Sequence, residues 1–309
     1  MRFSYWSTAG DPWDELVGTA THVEQTGWDG FWIGDHFMPP AGGFGDHPGD
    51  RSGELRDTHE AWSVLAGLAA LLPRIRIGSL VSGNTYRNPC VLAKIAATVD
   101  HISGGRVVLG LGAGWQENEH LAYGIDLPPL GERMDRFEEA VAIIKSLYTN
   151  ERTDFKGRHY VVTAAPLAPK PVQSPLPLLI GGGGEKRTLR IVARYADEWN
   201  VWGTPEIMRH KTEILERHCS EVGRDPAEIQ RSSAALLFMT SDRAALAALQ
   251  ANPPSRPSLI GTAAEIRDQI AEYAEAGVNE IIVPGFNFPL ERRRTILDEF
   301  LSEVASAFR

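Results

Sequence analysis

The sequence predicts an α/β protein, a single (β/α)8 or TIM barrel that spans residues 1–309. Short apolar runs alternate with amphipathic stretches along the whole chain, which is typical of parallel strands separated by helices. Several of the runs are continuously apolar, as expected of strands covered on both faces. The length of 309 residues also suits this fold, which needs about 250. No linker marks a domain boundary.

The elements follow from the hydrophobic pattern. The candidate strands are the apolar runs Arg2–Trp6, Gly30–Ile33, Ile75–Leu80, Arg106–Leu111, Leu178–Ile180, Glu198–Val201, Ser232–Met239 and Glu280–Val283. The candidate helices carry apolar residues three and four apart and are Trp13–Gln25, Pro89–His101, Glu132–Tyr148, Lys186–Tyr195, Glu206–Val222, Ala263–Ala276 and Leu290–Phe308. Thr262 and Glu265 form a capping-box pattern at the start of one helix.

Two stretches interrupt the alternation. Met38–Asp57 is rich in Gly, Pro and Asp and predicts an insertion loop over the C-terminal end of the second strand, acting as a mobile lid or pocket wall. Phe155–Gly157 followed by His159–Val162 predicts a small hairpin, and a proline-rich run then leads to the next strand.

Charge and cysteine content limit the classes of function. The net charge of −9 argues against nucleic acid or an anionic membrane surface as a bulk partner. The two cysteines, Cys90 and Cys219, exclude a disulfide scaffold and fit a reducing compartment. We see no signal peptide and no apolar run near the roughly 18 residues of a membrane span, so the expected location is the cytoplasm.

Active sites of such barrels lie at the C-terminal ends of the strands, and His36 follows the second strand directly. Histidine changes charge near neutral pH, so His36 is a candidate proton donor or acceptor in the barrel mouth. Asp35 and its turn are candidates to orient the imidazole. A structural histidine bonded to a neighbouring carboxylate is the alternative, and position alone does not separate the two.

Small residues follow the third and fourth strands. The segments Ser79–Thr85 and Leu109–Trp115 would let a flat ring lie close to the backbone, although a plain loop remains an alternative for the first. The glycines at 110, 112 and 114 do not match the G-x-G-x-x-G nucleotide fingerprint.

A glycine run follows the fifth strand. Gly181–Gly184 leads into Glu185, Lys186 and Arg187, and backbone N–H groups at a helix start form a natural phosphate site. We predict Lys186 and Arg187 in the first helical turn, where the helix dipole disfavours cations unless an anion binds. A flexible linker is the alternative, but a strand and a helix flank the run directly.

Other patterns carry less chemistry. The nine histidines are scattered and no metal-binding spacing occurs, so no metal site is predicted. The run Arg292-Arg293-Arg294 is predicted to lie on the surface.

Taken together, these motifs resemble the luciferase-like monooxygenase superfamily, and within it the branch that uses the deazaflavin coenzyme F420. The resemblance rests on the segments Gly30–His36, Arg74–Gly78, Gly104–Glu119, Gly131–Arg133, Pro171–Pro175 and Leu179–Asn200. It implies a luciferase-like barrel with the flavin or deazaflavin ring in its mouth.

The resemblance also implies individual roles. His36 matches the histidine beside the reactive ring face, and Leu80-Val81 matches the place where the family often carries a non-proline cis peptide. The remaining implied cofactor-binding residues are Asp35, Gly83, Gly112 and Asn118 around the ring, and Gly183, Gly184 and Glu185 at the phosphate. Trp115 is a departure, because some sugar-phosphate dehydrogenases of the family carry glutamate there. We predict Trp115 in the wall of the substrate pocket, and the departure puts a sugar-phosphate substrate in doubt.

The predicted function is hydride transfer between coenzyme F420 and a small organic substrate, with His36 as proton donor or relay. The alternative on the same fold is an FMN-dependent monooxygenase that activates O2. A metal-dependent hydrolase is disfavoured by the absence of metal-binding spacing, and a relative that has lost activity stays open. The resemblance makes a homodimer the expected assembly, with no nucleic-acid or membrane partner.

Overall fold

In the computed structural model, which describes residues 1–40 and 57–309, parallel strands close into a barrel. The strands are β1 Arg2–Ser7, β2 Gly30–Ile33, β3 Arg76–Ser79, β4 Ser82–Gly83, β5 Val107–Gly112, β6 Arg152–Lys156, β7 Val161–Pro166, β8 Leu178–Gly181, β9 Glu198–Trp202, β10 Gln230–Ala234, β11 Leu236–Met239, β12 Ser258–Gly261 and β13 Glu280–Pro284. The barrel order is β3-β2-β1-β13-β10-β9-β8-β5, and β5 pairs back to β3. The predicted (β/α)8 barrel is confirmed.

Helices connect the barrel strands. They are α1 Trp13–Thr26, α2 Ala61–Leu71, α3 Pro89–Ser103, α4 Glu117–Tyr123, α5 Leu130–Thr149, α6 Thr188–Tyr195, α7 Pro205–Val222, α8 Arg243–Ala251, α9 Ala263–Glu275 and α10 Arg293–Glu303. Short 3-10 turns cover Pro226–Glu228, Leu290–Arg292 and Ala305–Phe308. The capping box of Thr262 and Glu265 at the start of α9 is confirmed. None of the helices within the described ranges has the length and apolar character that crossing a membrane requires.

Three helices escaped the sequence analysis for identifiable reasons. Helix α2 is almost uniformly apolar, so its sequence shows no contrast between a buried and an exposed face. Its residue Gly67 sits where an added Cβ would come 2.9 Å from the Trp13 ring, so helix α1 packs closely against it. Helix α4 is short and largely polar, and α8 has no buried residue.

The predicted strand Ser232–Met239 is two strands. Strand β10 pairs with β9 and β13 in the barrel, whereas β11 leaves the barrel and pairs in parallel with β12. The apolar run continues through Ala235, so composition alone gave no sign of the break.

The predicted insertions have two outcomes. The hairpin is confirmed as the antiparallel pair β6–β7, with longer strands than the sequence indicated. The loop predicted over Met38–Asp57 falls on residues 41–56, which lie outside the described residues.

The core has two layers. One surrounds the barrel, between the strands and the helices, and contains residues such as Tyr5, Phe31 and Leu109. Alternate strand positions, including Trp6, Trp32, Val108 and Leu179, form a second, smaller cluster. Because strand side chains alternate between faces, this second cluster fills the barrel interior.

Charged side chains close the N-terminal end of the barrel. Arg2 lies 2.9 Å from Glu280, and Arg76 forms a close ion pair with Glu198. Arg2, Glu280, Arg76 and Glu198 are the first residues of strands β1, β13, β3 and β9, in that order. With this end filled, the space for a ligand lies at the opposite, C-terminal end.

Candidate active site

A cavity of about 460 Å³ opens at the C-terminal ends of the barrel strands. Seven of the residues proposed from sequence line it: Asp35, His36, Leu80, Val81, Gly83, Gly112 and Trp115. They come from three separate segments, which follow or end strands β2, β3 and β5, so the fold brings together side chains that are up to 80 positions apart, the separation of Asp35 and Trp115. The cavity is therefore the candidate active site.

The cavity has a backbone-rich floor. The Leu80–Val81 peptide is cis, as the resemblance implies. An added Cβ would lie 2.8 Å from a Val81 methyl at Gly112 and 2.9 Å from the other methyl at Gly181. With a larger residue at either position, Val81 or the strand would have to shift, so glycine at these two strand ends leaves room for Val81. The resulting surface is low enough for a flat ring to lie against it.

His36 is held by a buried carboxylate. Its Nδ1 lies 2.7 Å from Oε1 of Glu119, a fully buried residue of α4. The other carboxylate oxygen accepts the Phe37 backbone N–H at 2.8 Å, and the Tyr86 hydroxyl donates to Oε1. His36 therefore has the features of both alternatives drawn from sequence. It is bonded to a carboxylate, as a structural histidine would be, and it lines the cavity, as a proton-transfer residue would.

Asp35 does not take the orienting role suggested from sequence. Its two oxygens lie 2.6 and 3.2 Å from the Arg87 guanidinium, and Arg87 also pairs with Glu60. Burial raises the pKa of the Asp35 carboxyl, and Arg87 only partly counters this. The carboxylate on the imidazole is that of Glu119.

The bonding around Glu119 controls its charge. Burial alone would raise the pKa of its carboxyl, but hydrogen bonds from His36, Tyr86 and the Phe37 amide outweigh burial and hold that pKa below its ordinary value. Burial and the bond to Glu119 raise the pKa of the Tyr86 hydroxyl, which therefore stays protonated and donates. Glu119 is an ionised acceptor.

Aromatic side chains form the rim. Trp115 stands edge-on to His36, with ring centroids 5.6 Å apart, and Trp6 packs against Trp202 at 5.7 Å. The Arg256 guanidinium lies 4.9 Å from the centre of the Trp202 ring, and burial lowers its pKa. Trp115 therefore lies in the cavity wall, where the sequence analysis put it.

The glycine run lies beside this cavity with a different environment. Gly183, Gly184 and Glu185 are not among the lining residues, although Gly181 and Gly182 are. The Lys211 ammonium donates to the Gly183 carbonyl at 2.7 Å and lies 3.3 Å from Glu185. Binding of a cofactor phosphate here stays a prediction.

Two predictions about the cations that follow this run need correction, namely their position in the helix and the source of the negative charge beside Arg187. Helix α6 begins at Thr188, so Lys186 and Arg187 precede its first turn. The Arg187 guanidinium lies 2.6 Å from Asp135 of α5, which supplies the negative charge that we had assigned to a ligand. Asn118, which was predicted to touch the cofactor, does not line the described cavity, and its amide donates to the Pro39 carbonyl at 2.9 Å. Its contact with the cofactor stays a prediction.

Comparison with known proteins identifies the family. The model of the family described as luciferase-like monooxygenase matches residues 1–255. The chain belongs to the luciferase-like monooxygenase family. Residues 1–255 include strands β1 to β11, and every cavity-lining residue except Arg256.

Two relatives illustrate the proteins to which this chain is similar in sequence. An F420-dependent glucose-6-phosphate dehydrogenase of Amycolatopsis mediterranei is 34% identical over 185 residues, which are 59% of this chain and 50% of that protein. An uncharacterized protein of Mycobacterium tuberculosis is 27% identical over 271 residues, 86% of this chain and 85% of its own length. The match thus spans about half the length of the dehydrogenase.

Solved structures share the fold. An F420-dependent secondary alcohol dehydrogenase in complex with an F420–acetone adduct superimposes with a TM-score of 0.82 at 21% identity, covering 98% of both chains. The monooxygenase RslO1 from Streptomyces bottropensis has a TM-score of 0.78 at 19% identity over the full length of both chains. At these identities the likeness establishes the luciferase-like barrel alone.

Sequence reasoning missed several residues of this luciferase-like site. Glu119 ended one of the resembling segments without a role, and Tyr86, Arg87 and Arg256 were not singled out. Glu119 alone had a detectable signal, as a carboxylate a few residues after the fourth predicted strand. Among the residues that the structure describes, no cluster of histidine, cysteine or carboxylate side chains is arranged to hold a metal ion.

Proposed function

We propose that this protein is an oxidoreductase that transfers a hydride between coenzyme F420 and a small organic substrate. The observation that carries the proposal is a proton-transfer group, His36 with its buried carboxylate, beside a glycine-lined floor in the barrel mouth. The F420-dependent dehydrogenases among the relatives support the same cofactor.

The cavity fits a flavin-type ring. Its volume of about 460 Å³ lies within the ~300–1,000 Å³ that is usual for small-molecule sites. Gly112 and Gly181 add no side chain to this floor, and the Val81 methyls beside them supply an apolar contact for a planar group. We assign the ring to this floor, with Asp35, Leu80, Gly83 and Asn118 around it and the phosphate near Gly183, Gly184 and Glu185.

Each side chain then has a distinct task. F420, when bound, supplies two-electron hydride chemistry. Trp6, Trp115 and Trp202 form apolar walls that exclude water from the reacting atoms. His36 gives or takes the proton that accompanies hydride movement at a hydroxyl or carbonyl carbon. The proposed substrate is therefore a small molecule with such a group, placed in the cavity against His36 and Trp115.

The alternative is an FMN-dependent monooxygenase, and the solved structures with this fold include the monooxygenase RslO1. The ring surface described above does not distinguish a flavin from a deazaflavin. Reaction with O2 needs the flavin, because a deazaflavin has carbon at the position where a flavin reacts with oxygen.

Equilibrium binding of F420 and FMN, measured side by side on the purified protein, tests this choice. We expect F420 to bind at least tenfold more tightly, a difference of about 1.4 kcal/mol, and to be reduced or oxidised in the presence of substrate. Tighter binding of FMN together with O2 consumption would replace our proposal with the alternative.

We further propose one barrel domain over residues 1–309, a cytoplasmic location and a homodimer without nucleic-acid or membrane partners. Light scattering after gel filtration tests the assembly, and a monomer at micromolar concentration would contradict it.

A further inference from the structure

We propose that Glu119 is the positioning residue of the site, because it fixes a proton on Nδ1 of His36 and thereby makes Nε2 the nitrogen that exchanges a proton with the substrate. The substrate step rests on the proposed function, whereas the position of the proton on the ring does not.

Glu119 holds the His36 imidazole through the Nδ1 side of the ring. Helix α4 brings Glu119 under the loop that follows β2, although the two residues are 83 positions apart. Glu119 is fully buried, and its carboxylate meets three donors from that loop and from Tyr86. The Phe37 amide bond matters because it fixes the backbone immediately after His36, so both the ring and its attachment are held.

The charge state follows from those donors. An ionised carboxylate only accepts hydrogen bonds. Oε2 is taken by the Phe37 N–H, and Oε1 lies between the Tyr86 hydroxyl and Nδ1 of His36. Because the ionised carboxylate has no hydrogen to donate, the hydrogen in its bond with His36 must be carried by Nδ1. The neutral imidazole is then the Nδ1–H tautomer, and its Nε2 has the lone pair.

Other charged groups near this unit are engaged elsewhere. Asp35 pairs with Arg87 from the loop after β4, and Arg87 also pairs with Glu60 at the start of α2. On α4 itself, His120 contacts the Tyr86 ring but binds Thr85 through Nε2 at 2.7 Å and the Gln116 carbonyl through Nδ1. Among the residues that the structure describes, Glu119 is thus the carboxylate bonded to the imidazole.

The proton then has a defined route. In the oxidation of an alcohol, Nε2 of His36 would take the proton as the substrate O–H bond breaks, and the bound cofactor of the proposed function would supply the acceptor for the hydride from carbon. The imidazolium that forms is stabilised by the Glu119 carboxylate through Nδ1–H. In the reverse direction the imidazolium returns the Nε2 proton to the carbonyl oxygen. Nδ1 keeps its hydrogen throughout.

The position of the proton is measured by long-range ¹H–¹⁵N NMR correlation on the cofactor-free protein at a pH where the histidines are neutral. We expect the Nδ1–H tautomer at His36. His22 provides an internal contrast, because its Nε2 faces Asp298 at 2.7 Å and should carry the hydrogen. An Nε2–H tautomer at His36 in the unaltered protein overturns the proposal without any variant.

Two substitutions of Glu119 test whether its negative charge, rather than its shape, fixes the tautomer of His36. In Glu119→Gln one oxygen becomes an NH2 donor, so either the Phe37 amide or the His36 side loses its acceptor. We expect a mixed tautomer and a kcat lower by about 10- to 100-fold with a smaller change in KM. Glu119→Asp keeps the carboxylate and should restore the Nδ1–H tautomer and part of the lost kcat.

Asp298→Asn is the matched control, since it makes the same chemical change beside a surface histidine and should alter the His22 signals alone. An unchanged His36 tautomer and unchanged kcat in folded Glu119→Gln would overturn the proposal. A protein with the expected tautomer but no turnover of F420 would support the positioning role while contradicting the proposed function, so the two failures are distinguishable.

Discussion

His36 and Trp115 meet edge to face at the rim of the cavity, yet only one of them has proton chemistry. The tryptophan is about half exposed, at 52%, and offers a large apolar surface to a ligand. The histidine is tied to buried Glu119 and keeps the rest of its ring toward the cavity. At the scale of single residues, we therefore assign substrate contact to Trp115 and proton transfer to His36.

Replacing His36 with alanine should separate binding from chemistry. We expect His36→Ala to bind F420 nearly as well as the parent and to lose turnover by about 10²–10⁴-fold, the usual contribution of general acid–base catalysis. Cofactor titration and steady-state kinetics measure the two effects. His22→Ala, on the far helix α1, should leave both unchanged. Collapse of binding with surviving turnover at saturation would show instead that His36 positions the cofactor.

At the scale of elements, the connection between β8 and α6 positions the glycine run. The Gly182 φ of +124° is accessible mainly to glycine. Lys211 reaches from α7 to the Gly183 carbonyl, and Thr188 at the start of α6 lies close to Gly184. The run is therefore an ordered turn, which is the condition for backbone N–H groups to bind an anion.

A bulky residue in this turn should weaken cofactor binding. In Gly184→Val, the Cβ would lie 2.8 Å from the Thr188 hydroxyl, so the Thr188 side chain or the turn must move, and the branched side chain crowds the N–H groups at the start of α6. We expect F420 affinity to fall at least tenfold, about 1.4 kcal/mol. Gly131→Ala is the matched control, because its added Cβ meets nothing within 4 Å. Unchanged affinity in a folded Gly184→Val variant would remove the turn from the cofactor site.

At the scale of the whole molecule, the first and last parts of the barrel are joined by a buried ion pair. Arg293 of α10 is 4% exposed and forms a two-point contact with Asp11, which precedes α1 and is 8% exposed. The surface position predicted for the run Arg292-Arg293-Arg294 is therefore wrong for its middle residue. The neighbouring Arg294 is exposed and lies 3.3 Å from Glu15.

Breaking the buried pair should destabilise the barrel. Asp11→Asn leaves the Arg293 guanidinium buried without its counter-charge, and we expect a loss of about 3–5 kcal/mol in the free energy of unfolding. Urea denaturation measures it. Glu15→Gln breaks the exposed pair with Arg294 and should cost less than about 1 kcal/mol. Equal, small losses in both variants would show that the Asp11–Arg293 pair contributes little.

The sequence by itself determined the architecture and much of the cavity lining. Strand and helix alternation depends on local hydrophobic patterning, which requires no knowledge of distant contacts. The cavity residue His36 was predictable because barrel topology places whatever follows each strand at one end, whereas the family resemblance supplied Val81, Gly112 and Trp115. The family resemblance rests on those same strand ends, and the family match over residues 1–255 confirms it.

Only the tertiary structure decided which charges meet. Asp35 adjoins His36 in sequence, yet it pairs with Arg87, and the imidazole is bonded to Glu119 from another loop. Arg187 likewise finds Asp135 rather than an external anion. Each of these pairs joins residues 52 or 83 positions apart. The distances between such residues are set when the barrel closes, so the local sequence around either residue does not predict the contact.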